Sequence, residues 1–170
     1  SSPLRDRFGI ISKLNYYTGE ELTKIAKRTS IVLNIDIDDE ASVEVAKRSR
    51  GTPRICNRLI KRIRDFALVE GKNCIDIDIT NKALTKLKVD KLGLDETDYH
   101  LLRAIIEKFN GGPVGIDALA SSIGEEATTI EDVYEPYLLQ NGFLKRTNRG
   151  RMATEKAYQH LGIKRQGTLF

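Results

Sequence analysis

Apolar residues recur every three or four positions along most of the chain, and glycine, proline and short polar caps interrupt them. This pattern predicts a mainly helical protein. Thr18-Gly19-Glu20-Glu21 has the spacing of a capping box, with Thr18 as the cap and Glu21 three residues on. The helix it opens runs to about Leu33, with Leu22, Ile25, Ala26, Thr29 and Val32 turned inward. Ile35-Asp36-Ile37 is a short connector. Asp38 caps a second helix that carries Ala41, Val45 and Ala46 on one side and stops at Gly51. Thr52 and Pro53 then fit the cap and first turn of a third helix. It runs to about Glu70 with an apolar stripe of Ile55, Leu59, Ile63, Phe66 and Ala67, and Gly71 closes it. Residues 74–79 alternate like a strand but lead into a cap at Thr80. A fourth helix with Ala83, Leu84 and Leu87 ends near Val89.

The pattern changes after Asp90-Lys91-Leu92-Gly93-Leu94-Asp95, which reads as a domain boundary. Asp95 caps a helix with Tyr99, Leu102, Ile105, Ile106 and Phe109 at helical spacing, and Gly111-Gly112-Pro113 breaks it. A short helix over 116–123, a turn at Gly124, a helix over 129–140 and strands over 143–146 and 151–153 follow. Thr147-Asn148-Arg149-Gly150 forms the tip between the strands. Helix, short helix, turn, helix and β-hairpin is a winged-helix order. Residues 10–14 read as a short strand and 164–170 as a tail. The expected organisation is a lead-in over 1–17, a small helical domain over 18–93 and a winged-helix domain over 94–170.

Composition narrows the function classes. The chain has 170 residues, 40% apolar, with a formal charge of +4. No apolar run is long enough for a bilayer, and Ser1-Ser2-Pro3-Leu4-Arg5-Asp6-Arg7 is not a signal peptide but an abrupt polar start, as in a fragment. Cys56, Cys74, His100 and His160 make no metal-ligand spacing, and the two cysteines are expected to be free, in a reducing cytoplasm.

Charge distribution says more than its total. Residues 94–135 hold two basic and ten acidic side chains, and residues 136–170 hold seven basic and one acidic. The helix that would enter a major groove carries Glu131, Asp132, Glu135 and Pro136. Phosphates would repel its carboxylates, so reading of base edges by this helix is not expected. The hairpin carries Lys145, Arg146, Arg149 and Arg151. Strand alternation can put Arg149 and Arg151 on one face, close to a DNA backbone and blind to its sequence. A solubilising hairpin has the same composition. Arg54 stands in the first turn of the third helix, where free N–H groups and the helix dipole favour an anion and a guanidinium adds a fork suited to phosphate. A solvated basic face is the alternative there.

The motifs bear on these alternatives. GTPR-I-x-NR at 51–58 resembles the sensor-2 segment of AAA+ ATPases and is similar in wording to the RuvB family of Holliday junction branch-migration motors. LRDRFG at 4–9 resembles that family's arginine-finger segment, and LGLDExD at 92–98 the opening of its last domain. The strings Gly111-Gly112-Pro113-Val114-Gly115, Glu135-Pro136-Tyr137-Leu138 and Asn141-Gly142-Phe143-Leu144 resemble its winged helix.

The resemblance implies a fold that is mainly α, an AAA+ lid followed by a DNA-binding winged helix. It implies Arg7 as the finger acting on a neighbour's nucleotide, Tyr17 beside the bound nucleotide, Arg54 on its phosphates, and Arg146 and Arg151 on DNA, with Arg149 added from its place in the wing. It further implies ATP with Mg2+ held through an N-terminal domain, a homohexamer, a duplex or Holliday junction as substrate, RuvA and RuvC as partners, and a cytoplasmic role in SOS-linked recombination and repair. The chain itself has no GxxxxGK[ST] phosphate loop, so alone it is not expected to hydrolyse ATP. Ala127 stands where the family often has an arginine, and Asn148 where a proline is usual in the wing tip. A winged-helix replication initiator of the same superfamily would be expected to have a basic recognition helix. A winged-helix transcription regulator would leave Arg7 and Arg54 without a task.

Overall fold

The computed structural model describes residues 16–164. Arg7, the segment expected as a strand at 10–14 and most of the tail lie outside the described residues. The chain divides into two units, Ser1–Lys86 and Leu87–Phe170.

Among the described residues the first unit holds four helices and one small sheet. Helix α1, Gly19–Val32, opens on the expected capping box: Thr18 N donates to Glu21 Oε2 at 2.8 Å and Glu21 N to Thr18 Oγ1 at 3.2 Å. Leu22, Ala26 and Ser30 are its buried residues, whereas Val32 is 71% exposed. The chain turns at Asn34, φ +54°, and Ile35 N bonds back to Ser30 O, so Ile35 takes the core position expected of Val32. The connector is strand β1, Asp36–Ile37. Helix α2, Asp39–Lys47, is capped by Asp38, which accepts from Ala41 N at 2.7 Å.

Helix α3, Pro53–Val69, buries Cys56, Leu59, Ile60, Ile63 and Ala67. Leu59, Ile63 and Ala67 are buried as expected, while Cys56, whose thiol donates to Leu22 O of α1, and Ile60 take the places expected of Ile55 and Phe66, which are half-buried. Of the alternating stretch 74–79 only β2, Cys74–Ile75, is strand, paired in parallel with β1. Helix α4, Ile77–Lys86, begins three residues before Thr80, since Asp76 is the cap and accepts from Ile79 N at 2.8 Å. Thr80 is buried inside the helix and donates to Asp76 O.

The second unit has the expected helix, short helix, helix and hairpin. Asp90 Oδ1 accepts from Leu92 N and Leu94 N and seats the fully buried Leu94 in this unit's core. Asp95 and Asp98 cap each other's backbone at the start of α5, Glu96–Arg103, which continues into a π-helical turn at Ala104–Lys108. Helix α6, Ile116–Ile123, stops at Gly124 in a left-handed conformation.

The third helix is composite: α7, Ala127–Thr129, a π-helical turn at Ile130–Tyr134, and α8, Glu135–Gln140. Proline has no N–H to give and its ring crowds the preceding turn. The wide turn immediately before Pro136 absorbs both effects.

Strands β3, Leu144–Thr147, and β4, Gly150–Ala153, form the hairpin, and Val114 adds a two-way backbone bridge to Arg151 on the far side of β4. Gly150 is obligatory: its φ is +133°, and a Cβ there would lie 2.2 Å from Val114 O. Helix α9, Glu155–Leu161, follows and had no counterpart in the sequence pattern; Thr154 caps it and it buries Ala157 and Tyr158. The core beneath these elements joins Leu101, Leu102, Ile105, Leu119, Leu138 and Phe143. Each such side chain contributes about 1.5–3 kcal/mol by leaving water.

Candidate functional site

In the first unit the expected nucleotide-facing residues gather at one end of α3. Tyr17 is half exposed and is anchored by its backbone N–H on Gly51 O at 2.9 Å. Its ring lines a cleft of about 400 Å3 with Pro53, Asn57, Arg28 and Lys61. Thr29 donates to Asn57 Oδ1 at 2.6 Å and ties α1 to α3 along this cleft. Arg54 is exposed on the first turn. Thr52 stands at the cap position but its hydroxyl donates to Arg50 O, so no side chain caps the helix. Arg28 and Lys61 are cations of the cleft and suit a phosphate chain, with the Tyr17 ring as an aromatic face for a base, whereas Arg54 and the cap residue Thr52 lie outside its lining.

In the second unit the basic hairpin is not free-standing. Arg146 and Arg151 are direct cross-strand partners. Like charges so placed repel, and two carboxylates from the third helix offset them. Arg151 Nη2 lies 2.7 Å from Glu131 Oε1, and its Nε lies 3.1 Å from Glu135 Oε2. Arg146 Nη2 lies 3.3 Å from Glu131 Oε1, and its Nε lies 2.8 Å from Glu135 Oε1. That last contact is close but misaligned, so the buried Glu135 Oε1 has an ion-pair partner and no hydrogen bond.

The four groups differ in reach. The Glu135 side chain is 2% exposed and that of Arg151 10%, whereas Glu131 is 39% and Arg146 56% exposed. Strand alternation, from which Arg149 and Arg151 were expected to share a face, does not reach Arg149. Arg151 lies on the inner face opposite Arg146, and Arg149 stands in the tip, exposed, outside the strand alternation. The acidic residues of the third helix also have a role their charge did not suggest, since Glu131 and Glu135 hold the wing. Their spacing of four, facing two arginines in a hairpin, was the available signal.

A second polar cluster lies in the same unit. Asp90 Oδ2 accepts from Tyr99 OH at 2.8 Å and lies 2.7 Å from His160 Nε2, which is 3.0 Å from Tyr99 OH. Burial pushes the Asp90 carboxyl up, but the hydrogen bonds from Tyr99, His160, Leu94 and Leu92 outweigh it and leave the group below its ordinary value. Burial first, and the Asp90 carboxylate second, push the Tyr99 phenol up to about 12.

The fold and the two sites define a class: an AAA+ lid followed by a winged-helix domain. Residues 17–90 match the model of the RuvB AAA lid domain, and residues 91–162 that of the RuvB C-terminal winged helix domain. The chain belongs to the RuvB family. It is similar, at 54% identity and a TM-score of 0.92, to the Holliday junction branch migration motor RuvB of Thermotoga maritima, over 96% of this chain and 55% of that one. Two variants of the Thermotoga protein match with the same identity, coverage and TM-score. The chain thus spans 55% of the length of the solved relatives it matches.

Proposed function

We propose that this chain supplies the lid and the DNA-holding wing of an ATP-driven motor that moves duplex DNA through Holliday junctions in recombination and repair. The observation that carries the reading is the wing: two opposed arginines, held in place by carboxylates, on a domain whose third helix is too acidic to read bases. Such a wing contacts phosphates and is indifferent to sequence, as a translocating motor requires. Arg146, Arg151 and the exposed tip residue Arg149 are its DNA-facing groups. The lid supports the same reading. Tyr17 offers a face to the base of ATP, and Arg54 offers its fork to the phosphates. ATP supplies the free energy of phosphoryl transfer. The nucleotide and its Mg2+ are held chiefly by an N-terminal AAA+ domain, and Arg7 serves the neighbouring subunit's site. The assembly is a cytoplasmic homohexamer that works with RuvA and RuvC in the SOS response, with the lid over 18–93 and the winged helix over 94–170. Among the described residues no helix is long and apolar enough to cross a membrane.

The test is a chimera in which this chain replaces the matching part of Thermotoga maritima RuvB. ATP-dependent branch migration of a synthetic four-way junction is expected. A chimera that forms hexamers and hydrolyses ATP but leaves the junction unmoved would overturn the reading.

A further inference from the structure

We infer that Glu131 is an internal stand-in for a DNA phosphate, and that duplex binding proceeds by exchanging it for one. The inference rests on the DNA-binding reading of the wing. The cluster has two guanidinium groups and two carboxylates, so it is neutral as a whole. Two arginines neutralised in this way add little long-range attraction to a polyanion. The two carboxylates are unequal partners. Glu135 is sealed at 2% exposure and touches both arginines, so it cannot leave without taking from Arg151 its buried counterion. Glu131 is 39% exposed, and its single oxygen Oε1 is shared between Arg151 at 2.7 Å and Arg146 at 3.3 Å.

One acceptor serving two forked donors is poorly matched, because each guanidinium is built for two parallel hydrogen bonds. A backbone phosphate has the acceptor oxygens and the charge to take over both donors. Arg146 is over half exposed and can turn to it, while Arg151 stays fixed on Glu135 and sets the register. The buried Glu135 Oε1, which lacks an aligned donor, shows the same frustration: Arg146 is divided between the two carboxylates and satisfies neither fully. The exchange keeps the cluster's charge balance, so Arg146 and Arg151 never face each other uncompensated.

The experiment uses the full chain and a short duplex of arbitrary sequence, with affinity measured across a series of salt concentrations. Glu131→Gln removes the internal counterion while keeping size and polarity. Affinity at low salt should rise by about threefold to tenfold, and the slope of log affinity against log salt should steepen by about one unit, because a phosphate contact no longer begins from a neutralised arginine. In an Arg146→Ala background the same change should have less effect, which a double-mutant cycle reads directly. Unchanged affinity and slope in Glu131→Gln would overturn the proposal. So would a loss of affinity that tracks a lowered unfolding temperature, since Glu131 would then only support the wing. Failure of the wild-type chain to bind duplex in a salt-dependent way would instead overturn the DNA-binding reading itself.

Discussion

Glu135 Oε2 lies 3.1 Å from Arg151 Nε, and the two side chains are among the most sealed ionic groups of the second unit, at 2% and 10% exposure. Removing one member of a buried pair leaves the other charged and without solvent. Glu135→Ala should therefore destabilise the second unit, though by less than the about 3–5 kcal/mol of a fully uncompensated buried charge, because Glu131 Oε1 still lies 2.7 Å from Arg151. Urea unfolding followed by circular dichroism measures it. A loss below about 1 kcal/mol would mean that water reaches Arg151 freely.

Arg146 and Arg151 should separate in their effects. Arg146→Ala should weaken duplex binding similarly on unrelated sequences and flatten the salt dependence by about one log–log unit, with little change in stability. Arg151→Ala should weaken binding and also lower the unfolding temperature, because it leaves the buried Glu135 with only the misaligned contact to Arg146. Binding that falls on one sequence and not on another would contradict a phosphate-only contact.

The lid and the lead-in are tested in a full-length protein that carries this chain. Arg7→Ala should reduce ATP turnover on the order of a thousandfold while nucleotide still binds. Arg54→Ala should impair hydrolysis and nucleotide-dependent hexamer formation on DNA, because its exposed fork stands at an uncapped helix start. Near-normal turnover in both would return Arg7 and Arg54 to the solvated surface.

The cluster of Asp90, Tyr99 and His160 should give the second unit a measurable pH dependence. A carboxyl held below its ordinary 3.8 stabilises the fold above that value, and the stabilisation is lost as pH falls beneath it. A phenol pushed up from 10.0 to about 12 has the opposite sense: it stabilises the fold below pH 10 and the effect is lost as pH rises toward 12. Thermal unfolding across pH should show both limbs. Asp90→Asn should remove the acid limb and shrink the alkaline one.

Much of the fold was legible in the sequence because its signals are local. The capping box at Thr18 and Glu21, the Asp38 and Asp95 caps, and the glycine stops at Gly71 and Gly124 all act within a few residues. The misreadings arise where a distant contact decides. Alternation at 74–79 looked like a strand, yet only two residues find a partner in β1, and Asp76 caps the remainder into helix. Val32 fits the helical period but is the last residue of its helix and stays exposed. At the candidate site, residue type pointed to the arginines of the wing. What charge counting could not show is that Glu131 and Glu135, well separated in the chain from their partners Arg146 and Arg151, point at the wing.

The two-way bridge between Val114 and Arg151 has a mechanical consequence. It ties β4, on the side away from β3, to the segment before α6 by two backbone hydrogen bonds at one residue. A sideways pull on the tip at Arg149 is then carried by backbone hydrogen bonds into one segment and by the paired carboxylates into another. The load path forks at Arg151, and the hairpin deflects as a stiff spur, where a hairpin tethered only at its base would bend like a hinge.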